Sequence, residues 1–464
     1  MNDLLRNPRF WLLVQMLLLV IVGGVLGLWS LETQNDSGNY VSASEMSFDQ
    51  SMRFFRTQGF PLVLRLIRTV SPDFRILPGV HFVALCLVTL LLDHAVRRFG
   101  GSRWQAFAVS TGAFWGMLQN RAIATLLTDF SGIVLAVTTV AFLLLVATDP
   151  RRSLAWIGLT LSLAYSYHIR PPYLFLVPLV PLLGVIFLRI RRPEPGETPS
   201  RSSFAAALAV AAVVPLLGFC LLRLFTVGHF GLVSVAGLST VGFTAELLQE
   251  ETYQAQLSEE FHPLARDILA ERQRHDMRSV FLGGGVVRMR QWELRFNDNI
   301  YQVVFPVACR RYGEDRMVLN EKLSRFNREL ILHNKGKCLL YFVYSYPRSA
   351  AKLFYCSWIL QVLCPMLLVL FPVRLWICRG RAPATTADGK PERRRVLQMV
   401  FWTTLLFYLA KSTLIFLSFT AASRRYILPA GVFVPSLVAL LILRELELIA
   451  ASCSPRDESP ATDK

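Results

Sequence analysis

Charge is what this chain lacks. Only 17% of its 464 residues are Asp, Glu, Lys or Arg, where ordinary soluble domains carry about 25%, and that shortage excludes a soluble globular enzyme. Acids are the scarcer sign, with 32 Asp and Glu against 49 Lys and Arg, a formal net charge of +17. There is no Cys-x-x-Cys and no Cys/His cluster with zinc-ligand spacing. Five of the eight cysteines, Cys86, Cys220, Cys356, Cys364 and Cys378, fall in or beside apolar runs, where a thiol acts as a small buried hydrophobe. Internal repeats are absent, as are half-helices broken near a membrane centre. Disorder is excluded by abundance, because 32 Phe and 9 Trp are too many for a chain that avoids burial.

What is present is hydrophobic surface, 53% of the residues, in runs long enough for an all-α polytopic membrane protein. Surplus positive charge then reads as basic loops and contact with anionic headgroups rather than nucleic acid. The runs are Phe10–Trp29, Ile76–Val96, Trp104–Leu118, Phe130–Ala147, Leu154–Tyr167, Tyr173–Leu188, Phe204–Phe225, Ser357–Ile377, Val396–Phe419 and Ile427–Leu443. They predict about ten transmembrane helices. The third and fifth are short. The first follows Arg6 and Arg9, and WSLETQ after it offers no small-residue cleavage site, so it reads as a retained anchor.

Arginine marks alternate turns. Arg97, Arg98 and Arg103 flank one, and Arg151 and Arg152 the next. Arg189, Arg191, Arg192 and Arg201 flank the Pro-rich PEPGETPS, and Arg379, Arg381, Lys390 and Arg393–Arg395 a fourth turn. The positive-inside rule places these turns, and both termini, in the cytoplasm. The opposite side receives residues 31–75, 119–129, the HIRPP turn, a long stretch 226–356, and 421–426. The long stretch reads as a small, mainly helical external subdomain, in which Cys309 and Cys338 either pair in an oxidising space or stay free. The expected organisation is an N-terminal transmembrane module, 1–225, then the subdomain, 226–356, then C-terminal helices and a cytoplasmic tail, 357–464.

On that opposite side, charge sits at helix ends near the membrane, where it is costly and tends to face a cavity or a partner. Asp36 in NDSGNY is either a general base or a turn-forming, N-capping acid. Asp129 in LLTDF is either part of a site or a first-turn acid on the helix dipole. Arg170 in YSYHIRPP, with His168 before it, and Arg424 and Arg425 in SRRYILP either bind phosphate or snorkel to the interface. The stretch 47–75 adds Arg53, Arg56, Arg65 and Arg68 and reads as a helix lying in the membrane plane.

Taken in order, DSGNY (Asp36, Ser37, Tyr40), GFPLVLRLI, LLDHAVRRFGG, LLTDFSGIVLAV, RPPYLFLVPLVPLL, HFGLVSVAGLSTVGF and RRYILPAGVF (Arg425, Tyr426) carry a resemblance. The chain resembles bacterial polyprenyl-phosphate-dependent membrane glycosyltransferases of the GT-C superfamily, a group that includes protein O-mannosyltransferases and lipid A aminoarabinose transferases. The resemblance implies a GT-C-like bundle in the bacterial cytoplasmic membrane. Asp36 maps to the catalytic base and Asp129 to a second acid. Arg170, Arg424, Arg425, His168 and Tyr426 map to the donor phosphate site, and Tyr40, Arg53 and Arg56 to the acceptor side. The family's paired Asp-Glu is Asp-Ser here, which leaves Glu32 and Glu45 as candidates to share the base role.

The reaction implied is inverting sugar transfer from a polyprenyl-phosphate donor to a hydroxyl on a glycan, lipid or protein acceptor. A divalent cation bridging Asp36 and Asp129 is compatible with it, though no ligand spacing demands one. The rival expectations are an O-antigen polymerase or ligase, which shares the lipid-linked donor and large external loop, and a lipid-linked-sugar flippase.

Overall fold

A computed structural model describes residues 6–191, 200–277, 279–281, 288–377, 379, 391–418 and 423–453. Most of the PEPGETPS linker, the loop carrying Arg381 and Lys390, Cys378, and residues 421–422 of the last expected external turn lie outside the described residues.

The described residues are helical, in chain order α1 (Pro8–Val25), α2 (Ser37–Glu45), α3 (Phe48–Arg53), α4 (Gly59–Arg68), α5 (Leu77–Arg98), α6 (Arg103–Met117), α7 (Thr128–Thr148), α8 (Ser153–Ile169), α9 (Leu176–Arg191) and α10 (Arg201–Val227). After α10 come α11 (Ala236–Thr244), α12 (His262–Arg274), α13 (Met289–Leu294), α14 (Phe305–Tyr312), α15 (Arg316–His333) and α16 (Lys335–Cys356). The chain then closes with α17 (Trp358–Ile377), α18 (Pro391–Ser418), α19 (Arg424–Ala430) and α20 (Val434–Cys453). The extended pairing among the described residues is one isolated parallel bridge, Glu32 with Thr125.

Seven of these helices are long and apolar enough to cross a bilayer, and the pair α19 and α20, bent by 46°, makes an eighth. The expected count of ten differs at two places. The runs 104–118 and 154–167 fold as α6 and α8, of 15 and 17 residues, or about 22 and 25 Å at 1.5 Å per residue. Each still joins the two ends of the bundle. α6 starts beside Arg103 and ends at the cavity described below, and α8 starts after Arg152 and ends at Arg170.

Burial sorts the helices. α7 is apolar all round, with 78% of its span buried, so it forms the centre. α17 and α10 have 11% and 17% buried and turn Leu368, Trp376, Val210 and Phe225 outward, a surface suited to lipid rather than water. Close approach holds α6 on α20, because a Cβ on Gly112 would meet the Ser436 backbone at 2.4 Å. At the arginine-rich end, the fully buried Asp93 accepts from Arg97 Nε at 2.8 Å and from Arg9 Nε at 3.2 Å, tying the start of α1 to the end of α5.

The stretch 226–356 is helical, as expected. Phe243 stacks on Trp292, and Glu246 is buried against Arg272 at 2.7 Å. Its core continues into Ile415, Phe416 and Ala430 of the bundle. Cys309 and Cys338 are both free thiols, so the disulfide alternative is not realised. The stretch 47–75 is broken into α3 and α4 rather than forming one helix. α4 buries Phe60, Leu64 and Ile67 and exposes Leu62 and Leu66, as a helix lying against lipid does.

Candidate functional site

The site gathers at the end of the bundle opposite the arginine-rich turns, and backbone pairing decides its geometry. Glu32 N–H donates to Ala124 O at 2.8 Å, and Leu126 N–H donates to Glu32 O at 2.9 Å. Ser37 Oγ donates to Leu126 O at 2.9 Å. The first external loop is thereby laid along the segment that enters α7, bringing Asp36 beside Asp129. From the other side α4 closes down on α8, where a Cβ on Gly59 would lie 2.5 Å from the His168 carbonyl carbon. Only glycine tolerates that approach without a shift.

Asp36 stands at the N-cap of α2, but its side chain makes no cap bond. Its carboxylate instead accepts from Arg56 Nη2 at 2.8 Å and Arg425 Nη1 at 3.3 Å. Asp129, in the first turn of α7, accepts from Arg425 Nε at 2.9 Å and forms an ion pair with Arg170. Arg425 therefore bridges both acids. Tyr426 lies beneath two guanidiniums, with Arg170 at 5.3 Å and Arg425 at 5.6 Å from its ring centroid, close enough for cation–π attraction. Tyr40 carries Arg56 over its ring at 5.2 Å, and its hydroxyl lies 3.4 Å from Thr128 Oγ1. The turn-forming reading of Asp36 and the snorkelling reading of Arg425 and Arg170 thus give way to a shared cluster.

Burial separates the two acids. The Asp129 side chain is 7% exposed and that of Asp36 is 32% exposed. Asp129 is enclosed by its two guanidiniums, while Asp36 stays open to an incoming group. A cavity of about 420 Å³ meets the cluster, lined among others by Gln34, Gln119, Asp129, Arg424 and Arg425. That volume is of the size that holds small-molecule ligands.

Three expected members stand apart. The His168 ring packs edge-on against Phe219 at 4.3 Å. It leaves the site because Arg170, two residues on, has left the helix with an extended backbone (φ −153°, ψ 114°), so the two side chains diverge. Arg53 ends α3 exposed, with no ion-pair partner among the described residues. Arg424 is on the cavity wall rather than in the acid cluster. Glu32 and Glu45 also lie outside the cluster, paired with Arg121 at 3.0 Å and Arg68 at 2.5 Å.

Two site residues escaped the sequence reading. Lys411 of α18 is buried; its Nζ donates to Tyr173 Oη at 2.7 Å, and it lines a second, small cavity with Asp129, Arg170 and Arg425. Its signal was a lone lysine inside an apolar run. Gln119 is 5% exposed, and neither of its amide atoms has a partner among the described residues. Nothing local to the sequence marks it.

Known family models, curated proteins and solved structures offer no match to this chain. The geometry alone therefore carries the functional reading. Three guanidiniums, Arg56, Arg170 and Arg425, pair with two carboxylates, and Arg424 adds a fourth on the adjoining cavity wall, an excess of positive charge suited to an anionic ligand. The donor set does not fit the divalent cation considered above. Asp36 and Asp129 already face guanidiniums, and among the described residues no group of three or more His, Cys, Asp or Glu side chains is arranged to hold a metal.

Proposed function

We propose that this protein is a membrane glycosyltransferase that moves a sugar from a polyprenyl-phosphate donor to an acceptor hydroxyl, with inversion at the anomeric carbon. One observation carries this reading. Arg425 joins Asp36 and Asp129 in a single ionic cluster, using residues from three distant parts of the chain, and Asp129 and Arg425 line the adjoining cavity. A scaffold has no use for an open carboxylate among phosphate-compatible guanidiniums at the membrane end of a helical bundle.

In this reading all ten apolar runs traverse, α6 and α8 included, because each connects opposite ends. The arginine-rich turns and both termini face the cytoplasm, and the cluster faces the other side of a bacterial cytoplasmic membrane. Asp36, the open acid, takes the proton as the acceptor oxygen attacks the anomeric carbon. The bond from that carbon to the phosphate oxygen breaks, and polyprenyl phosphate leaves with the electron pair. Arg170 and Arg425 stabilise the growing phosphate charge, an effect commonly worth about 3 kcal/mol for one well-placed donor. Asp129 is a positioning residue, holding both arginines from beneath. Tyr40 and Arg56 flank Asp36 on the side where an acceptor would enter, whether glycan, lipid or protein.

The test is transfer from radiolabelled polyprenyl-phosphate sugars in membranes containing wild type or Asp36→Asn. Loss of the base should cut transfer about 10²- to 10⁴-fold with donor retention unchanged. Full transfer by Asp36→Asn would remove the proposed base, and donor crossing the bilayer without any transfer product would favour a flippase.

A further inference from the structure

A third cavity, of about 360 Å³, opens at the far end of the bundle from the ionic cluster, between the start of α6, the start of α18 and the end of α20. Its lining is two-sided in character. Arg393, Arg394 and Arg444 provide three guanidiniums, against which Glu447 is the lining acid, paired to Arg393 at 3.0 Å. Leu397 and Leu443 supply an apolar wall. Beyond it the outer faces of the same two helices expose Phe401, Trp402 and Leu446. A polar ligand alone would leave that wall wetted, and an apolar one would make no use of a lining whose positive charge Glu447 offsets only in part. The combination fits a molecule with an anionic head and hydrocarbon tails.

We propose that this cavity binds the headgroup of an anionic phospholipid, its phosphate on the arginines and its acyl chains along Leu397, Leu443 and the exposed face beyond. Basic pockets between transmembrane helices suit such headgroups, whose attraction is electrostatic and short-ranged. The site is remote from the ionic cluster and does not depend on the transfer reaction. Its consequence is mechanical: an occupied site bridges α6, α18 and α20, the helices that carry Lys411 and the Arg425 turn at their other end.

The experiment uses the full chain in nanodiscs of phosphatidylcholine, with or without phosphatidylglycerol or cardiolipin, and counts retained lipids by native mass spectrometry. Wild type should retain the anionic lipids over phosphatidylcholine, less so as salt rises. Arg394→Gln with Arg444→Gln should lose about tenfold of that preference. Arg394→Gln alone is the safeguard against misfolding, since Arg394 has no ion-pair partner among the described residues. Arg151→Gln with Arg201→Gln, which neutralises exposed arginines elsewhere at the same end, should change nothing. An equal loss in that control would make the effect general surface charge and overturn the site. Inorganic phosphate that displaces the lipid as well as phosphatidylglycerol does would overturn the role of the apolar wall. An unchanged lipid count in both cavity variants would overturn the proposal.

Discussion

The pairing of Asp129 with Arg170 is the tightest point of the cluster, and a double-mutant cycle on it gives a number that owes nothing to enzymology. The two side chains are 7% and 11% exposed. Breaking a fully buried ion pair by removing one partner costs about 3–5 kcal/mol, because a charge is stranded. Arg170→Gln strands Asp129 only in part, since Arg425 still donates to it at 2.9 Å, so the expected cost is about 2–3 kcal/mol. Asp129→Asn deprives two guanidiniums at once. Arg425 keeps Asp36, while Arg170 keeps the Tyr426 ring but no acid among the described residues, and about 3–4 kcal/mol is expected. The double variant should cost about 2 kcal/mol less than the sum of the singles, because no charge is left facing an absent partner. Arg425→Gln should be milder, about 1–2 kcal/mol, as its side chain is 28% exposed and each acid retains another arginine. The assay is SDS- or heat-induced unfolding of the lipid-embedded protein, followed by tryptophan fluorescence. Additivity within about 0.5 kcal/mol, or Arg425→Gln as harmful as Arg170→Gln, would refute the picture of a shared buried anchor.

Other expectations reach the rest of the structure. Lys411→Met should leave folding unharmed or slightly improved, since a hydrophobe replaces an amine buried beside Arg170, but should weaken retention of polyprenyl phosphate; a large fall in stability with unchanged lipid retention would contradict this. Gly59→Ala should cost about 1–3 kcal/mol and lower transfer, because the new methyl drives α4 off the backbone of α8; a neutral result in thermal unfolding would show that the contact is slack. In the external subdomain, burial raises the Glu293 carboxyl above its ordinary value, with Arg348 at 2.7 Å opposing the shift. A raised acid contributes stability that is full below its unfolded value, about 4.3, and lost as pH rises through its folded value. Glu293→Gln should therefore flatten the decline of stability above that pH, and an unaltered slope in pH-dependent unfolding would count against it.

Much of the architecture was legible because its causes are local. A run of about 20 apolar residues favours a membrane-crossing helix in any fold, which is why all but the two shortest runs fold as helices long enough to cross, and arginine on alternate turns marks one end of the bundle without reference to packing. Asp36, Asp129, Arg170 and Arg425 were identifiable for a related reason: charge beside an apolar run is costly in any fold, so its retention is visible one residue at a time. The same logic applied to Lys411 in the run 396–419, whose isolation there was the available sign.

Tertiary structure alone decided what those charges do. Asp36 occupies an N-cap position and could have capped its helix; the pairing of Glu32 with the 124–126 backbone turns it instead toward Arg56 and Arg425. His168 and Arg170 are two residues apart, yet one packs on Phe219 and the other on Asp129, because the helix ends between them. Gln119 became noticeable only when folding buried its amide without a partner at a cavity wall. Composition and periodicity act over one helical turn and so announce spans and costly charges. Which costly charges meet is settled by contacts separated by up to 389 positions in the chain, and those exist only once the helices have packed.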